Sequence, residues 1–281
     1  MGADAPMILA ALLAVVAVVA GVSLWRAERR RVLFLREAGV MLGGYFAYFA
    51  VRGATEGDAA AALHHAQLIV DFERHIGIWV EPTLQTLVLD IDPAITAANW
   101  VYIWGHWPVI GGVALWLFFR RPDHYLIYRN AFLISGALGL VMFVTFPAAP
   151  PRLADLGLTD TVVNDSNFYH LLQPPQLTNQ YAAFPSLHFG WNLLIGLALL
   201  QTSRSLSVRI FGILMPLAML AAIVLTANHY LIDAAAGAAV ALVGLAAARY
   251  LHRHTWASSF RWLRSRTTHP RTRPPGVAPE H

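Results

Sequence analysis

The stretch "ANHYLIDAAAGAAVALVGLAAARY", residues 227–250, decides the fold. From Leu231 to Tyr250 it is apolar over about the 20 residues that cross a bilayer. Its opening nevertheless carries Asn228, His229 and Asp233. Ionisable groups at membrane depth are costly, so a helix that keeps them at one edge keeps them for chemistry.

Composition agrees with a lipid-embedded chain. Of 281 residues, 57% are hydrophobic and only 13% charged, with a mean hydropathy of +0.52. Soluble domains carry about 25% charged residues. The absence of cysteine excludes disulfide and thiolate chemistry. All 20 basic residues are arginine, which excludes Schiff-base and lysine general-base chemistry. A pI of 9.7 is compatible with nucleic-acid binding, but the arginines lie between apolar runs, and no nucleic-acid partner is expected.

Seven apolar stretches predict spans at Met7–Trp25, Ala38–Arg52, Ala94–Phe119, Ile127–Phe146, Pro185–Gln201, Val208–Ala227 and Leu231–Tyr250. The fold class is all-α, a polytopic membrane bundle of six helices with an extra N-terminal span. Residues 1–32 read as an anchor with a basic loop, 33–251 as the membrane domain, and 252–281 as a basic disordered tail. Arg36 and Glu37 stand at the start of the second span. Residues 58–92, too polar to cross, read as amphipathic helices on the outer surface. There Glu73 and Glu81 read as solvated charges near the headgroups. "GGVALWLFFR" and "DAAAGAAVALVG" read as close helix contacts. Trp100, Tyr102 and Trp104 suit an interfacial aromatic belt.

Charge alternates between the connections. Segment 26–36 holds five arginines, and the tail from His252 holds six against Glu280. Segment 53–93 holds seven acidic residues against Arg74. The positive-inside rule then places the N-terminus outside, the C-terminus in the cytoplasm, and the acid-rich loops outside, as expected in a bacterial plasma membrane. His188 and His229, 41 residues apart, bracket one hairpin and meet at the outer face. Asp233 follows His229 at i+4, within reach of its imidazole. "FPAAPPRL", residues 146–153, brings Arg152 to the same face.

That set can transfer a phosphoryl group. Pro185 and Ser186 suit a helix start, whose N–H groups favour an anion. Arg152 can hold phosphate oxygens. His229, oriented by Asp233, can attack phosphorus, and His188 can protonate the departing oxygen. His106, inside "YIWGHWPVIGG", reads as a hydrogen-bonded packing residue.

Three motifs in order resemble those of the type-2 phosphatidic acid phosphatase superfamily. "AAFPSLHFGWN" (182–192) is similar to its second motif and "NHYLID" (228–233) to its third. "FPAAPPRL" resembles the first as it stands in the inositol phosphorylceramide synthase-like branch. The resemblance implies a six-helix bundle, a nucleophile at His229, a helper at Asp233 and an acid at His188, with no metal or other cofactor. Two positions depart from the family pattern: Thr145 and Ile223 stand where it has lysine and arginine. Arg52 and Asn228 are candidate replacements. A site with one assured arginine suits a phosphodiester, with one negative charge, better than a monoester carrying nearly two. The expected activity is therefore transfer of a phospho-headgroup from a phosphatidylinositol-like lipid to a lipid or glycan hydroxyl. The alternative at the same site is a lipid phosphate or polyprenyl diphosphate phosphatase using water.

Overall fold

The computed structural model describes residues 28–54, 58–162 and 179–255, with side chains for 31–50, 58–162 and 179–254. The described residues form an all-helical membrane fold without strands. Its elements are α1 (Glu28–Ala54), α2 (Ala59–His75), α3 (Glu81–Leu89), α4 (Asp92–Trp104), α5 (Trp107–Arg120), α6 (Pro122–Thr145), α7 (Leu187–Thr202), α8 (Leu206–Leu225) and α9 (Leu231–Thr255). α1, α6, α8 and α9 are long and apolar enough to cross a membrane, and the bent pair α4–α5 is so as well if the two helices count as one span. The shorter apolar α7 is enclosed between α8 and α9. The stretch Met7–Trp25 and nearly all of 252–281 lie outside the described residues.

Three spans differ from the sequence expectation. Residues 94–119 are not one straight helix: α4 and α5 meet at a 48° bend. Pro108, second residue of α5, lacks an N–H and would collide with the Trp104 carbonyl in a continuous helix. α1 begins at Glu28, so the arginine-rich segment is largely helical rather than a loop. Glu37 consequently lies well inside α1, buried against α6, where it accepts a hydrogen bond from Arg129 Nη1. α7 starts at Leu187 with Ser186 as its N-cap, leaving Pro185 outside the helix.

Helix contacts are made at glycine. A Cβ on Gly190 of α7 would overlap the Gly237 carbonyl of α9, and one on Gly237 would overlap the Ser186 carbonyl. Gly196 of α7 and Gly212 of α8 face one another in the same way. This agrees with the expectation for "DAAAGAAVALVG". Gly111 and Gly112 contradict the companion expectation: a Cβ on either would meet nothing within 4 Å.

α2 and α3 cap the end of the bundle at which α6 and α8 finish and α7 and α9 begin. Ala62, Ala66, Ile69 and Val70 of α2 pack under Ala148, Ala149, Ala183 and Tyr230. Here Glu73 and Glu81 correct the sequence reading, because both are buried rather than solvated. The first N–H groups of a helix have no partner within it. In α9 carboxylates supply them: Tyr230 N–H donates to Asp233 Oδ2 (2.9 Å), Leu231 N–H to Glu81 Oε1 (2.9 Å) and Ile232 N–H to Glu73 Oε1 (2.7 Å). The helix dipole favours negative charge there as well.

Burial pushes the Glu73 carboxyl from its ordinary 4.5 up to about 8; the Ile232 hydrogen bond opposes the rise, and the Glu81 and Asp233 charges add to it. The folded protein thus keeps a proton that the unfolded chain releases near 4.5. Stability from this group is full below that pH, declines as pH rises, and its loss is complete above about 8. Thermal unfolding midpoints in detergent should fall steadily between about pH 5 and 8.5, and Glu73→Gln should flatten the slope. An unchanged slope in the variant would refute the assignment to Glu73.

Candidate active site

The segment "FPAAPPRL", irregular up to a 3₁₀ turn at Pro151–Leu153, is held mainly by its neighbours. Pro147, Pro150 and Pro151 remove three N–H groups, and those that follow Phe146 are all used. Ala148 N–H donates to Tyr181 O (2.8 Å), Ala149 N–H to Ala62 O (3.0 Å), Arg152 N–H to Ala227 O (3.0 Å) and Leu153 N–H to Pro150 O (2.9 Å). Ala183 N–H returns to Ala148 O (3.2 Å), making a parallel bridge between the first and second motifs. Ser186 N–H donates to Asp233 O (2.9 Å), which ties the second motif to the third. α8 ends with Ala227 in the left-handed region (φ 54°) while Asn228 and His229 N–H both reach Ile223 O. That turn aims His229 back across the start of α7.

His188, His229, Arg152 and Asn228 thereby line one narrow cavity of about 40 Å³, together with Tyr102, His106, Trp107 and Asn179. At roughly 10–15 Å³ per enclosed water, it admits about three waters or a group of phosphoryl size. The His188 and His229 ring centroids are 5.7 Å apart.

His229 is buried, and its Nδ1 lies 2.8 Å from Ala183 O. A carbonyl only accepts, so Nδ1 carries the proton and Nε2 carries the lone pair. Asp233 Oδ2 is farther from Nδ1, at 3.4 Å, because it also accepts from Tyr230 N–H. The sequence reading gave orientation of the imidazole to Asp233 alone; the geometry divides it between that carboxylate and a backbone carbonyl, with the carbonyl closer.

Arg152 Nε donates to Asn228 Oδ1 (3.0 Å), and its Nη1 pairs with Asp160 Oδ2 (3.2 Å). Asn228 Nδ2 in turn donates to Thr226 Oγ1 (2.9 Å), so this amide holds the guanidinium in place. Ser186 is fully buried, its Oγ accepting from Phe189 N–H at 3.4 Å, and it does not line the cavity. The side chain of Arg52 lies outside the described residues. Thr145 Oγ1 donates to Val141 O on an exposed face, and Ile223 is fully buried among apolar residues, so neither contributes to the cavity. Arg129 is occupied by Glu37 and Asn130.

Three participants escaped the sequence reading. Asp160 reaches Arg152 because Gln85 of α3 and Asn99 of α4 fasten its loop. Thr159 N–H donates to Gln85 Oε1 (2.8 Å), and Thr161 Oγ1 donates to Asn99 Oδ1 (2.9 Å). Tyr102 is not a belt residue: it is buried and stacks on His188 at 4.6 Å, while Trp100 is exposed as expected. His106 is likewise buried on the cavity wall, 4.2 Å from the His188 ring centroid. The one available signal for both was their i, i+4 spacing beside Gly105 and Pro108. Among the described residues no group of histidines and carboxylates is arranged to hold a metal ion.

No curated protein and no solved structure matches the chain. A family model described as the PAP2 superfamily matches residues 67–247, a range that takes in all three motifs and the three cavity histidines. The chain therefore belongs to the PAP2 superfamily, that of the type-2 phosphatidic acid phosphatases, whose activity is of the phosphatase or phosphotransferase type on lipid phosphates.

Proposed function

We infer that the protein is a membrane phosphotransferase moving a phospho-headgroup, of the inositol phosphate kind, from a lipid phosphodiester to a lipid or glycan hydroxyl. His229 Nε2 attacks phosphorus and forms a phosphohistidine; His188 gives a proton to the departing oxygen and recovers one from the incoming hydroxyl. Arg152, steadied by Asn228, binds the non-bridging oxygens. Asp233 supports the imidazolium character that develops at His229, and Ser186 sets the start of the helix carrying His188. Arg52 is a further candidate for the phosphate. The distribution of arginines favours an extracytoplasmic site.

The observation that carries this reading is the charge balance of the cavity. Arg152 is its one guanidinium among the described residues, and Asp160 already offsets part of that charge. A monoester with nearly two charges is poorly matched there; a diester with one is well matched. The alternative, hydrolysis of a lipid monophosphate or polyprenyl diphosphate, uses the same histidines with water as acceptor.

Purified protein offered phosphatidylinositol plus a lipid alcohol, and separately phosphatidic acid, tests the reading directly. Headgroup transfer supports it, whereas phosphate release from phosphatidic acid alone overturns it in favour of the phosphatase. Asp160→Asn restores the full charge of Arg152 and should raise phosphatidic acid turnover relative to diester turnover by about tenfold. An unchanged ratio would remove charge balance as the basis of selection.

A further inference from the structure

His106 stands at the kink between α4 and α5, only 3% exposed, and takes no part in the chemistry above. Its ring is tilted by 32° against His188 on one side. On the other side it lies parallel, within 5°, to Trp191 at 5.7 Å. Trp191 is itself fixed, its Nε1–H donating to Ser135 Oγ at 3.0 Å. Asn192, fully buried one turn after His188, links the His106 imidazole to the backbone of His188. Its Nδ2 donates to the His188 carbonyl at 2.9 Å, which settles which end of the amide faces them. The same Nδ2 lies 3.4 Å from His106 Nδ1. An amide nitrogen only donates, so Nδ1 is the acceptor and the His106 proton sits on Nε2. His106 thus presents a neutral ring face to His188 and is anchored to its backbone through Asn192.

We propose that His106 is a positioning residue for the proton donor, holding the His188 ring at the angle from which it reaches the leaving oxygen. This rests on the reading of His188 as the acid. In that step the His229 Nε2 lone pair forms the N–P bond. The P–O bond to the leaving group breaks with its electron pair moving to oxygen, and the His188 proton follows onto that oxygen. Hydrogen bonds weaken steeply as the donor swings off line, so a loosened ring loses proton transfer before it loses binding.

Leaving groups separate this role from a purely structural one. The probes are phosphatidylinositol, whose diacylglycerol must be protonated as it leaves, and 4-nitrophenyl myo-inositol 1-phosphate, whose nitrophenolate leaves without a proton. His106→Ala should lower kcat for the lipid about 50-fold with KM within about twofold, and lower turnover of the nitrophenyl ester less than about threefold. His106→Phe, which restores a ring face against His188, should recover part of the lipid activity. Parallel losses on both probes, or unchanged kcat for the lipid, would overturn the proposal. His188→Ala is the reference: selective loss there with parallel loss in the His106 variants overturns only the role of His106. If His188→Ala is not selective, the acid assignment fails and this inference fails with it. A wild type inactive on both probes removes the proposed function and therefore this role.

Discussion

His229→Ala eliminates turnover while leaving the protein folded: that is the expected result with the largest effect on activity. In the proposed mechanism the lone pair on Nε2 is the nucleophile, and losing a covalent nucleophile costs on the order of 10⁴-fold or more. The variant gives up the buried hydrogen bond to Ala183 O, worth about 1 kcal/mol, and the longer contact with Asp233, while the helix packing is untouched, so insertion and elution as a monodisperse detergent complex should persist. The measurement is product formation from lipid by purified protein, alongside trapping of an acid-labile phosphorylated intermediate. Activity retained in well-folded His229→Ala protein would end the nucleophile assignment.

Gly237→Ala should have the largest effect on stability. One methyl group on α9 would occupy the volume of the Ser186 carbonyl oxygen, an atom that cannot rotate away. Relief requires α7 and α9 to separate along the line that also brings Gly190 against the Gly237 carbonyl. Overpacking of this kind costs about 1–3 kcal/mol, and a methyl group against rigid backbone belongs at the upper end. Because Ser186 N–H is bonded to Asp233 O, separation also pulls His188, on α7, away from His229, which immediately precedes α9. The expectation is an unfolding midpoint several degrees lower together with loss of activity. Gly39→Ala, where the added atom meets nothing within 4 Å, is the control. Equal stability of the two variants would show that the contact tolerates expansion.

What could be read from the chain follows a physical divide. Spans were legible because lipid imposes a composition over a fixed length, and His188, His229 and Asp233 because polar groups stand out at the edges of such runs. Their union on one cavity wall needed only the parity of crossings. Asp160, Tyr102 and His106 were not legible as site residues. Each acts through a partner more than five residues away, and each has an ordinary role elsewhere, as a loop carboxylate, a belt aromatic or a packing histidine. Glu73 and Glu81 were misread for the same cause: a carboxylate in an amphipathic helix is usually solvated, and nothing local announces that α9 begins above it with unmet N–H groups. The bend at Gly105–His106 had a local signal in Pro108, which length-based reading of residues 94–119 passed over.

The hydrogen bond that orients His229 has an evolutionary consequence. Because the acceptor nearest to Nδ1 is the main-chain oxygen of Ala183, no codon change at that position can delete it; every amino acid brings the same oxygen. Drift at position 233 would weaken the imidazole's support without inverting its tautomer. The nitrogen proposed to react is thus insulated from substitution in a way that the groups proposed to select the substrate, Asp160 and Arg152 among them, are not. Descendants of this scaffold are free to change what they cut long before they forget how to cut.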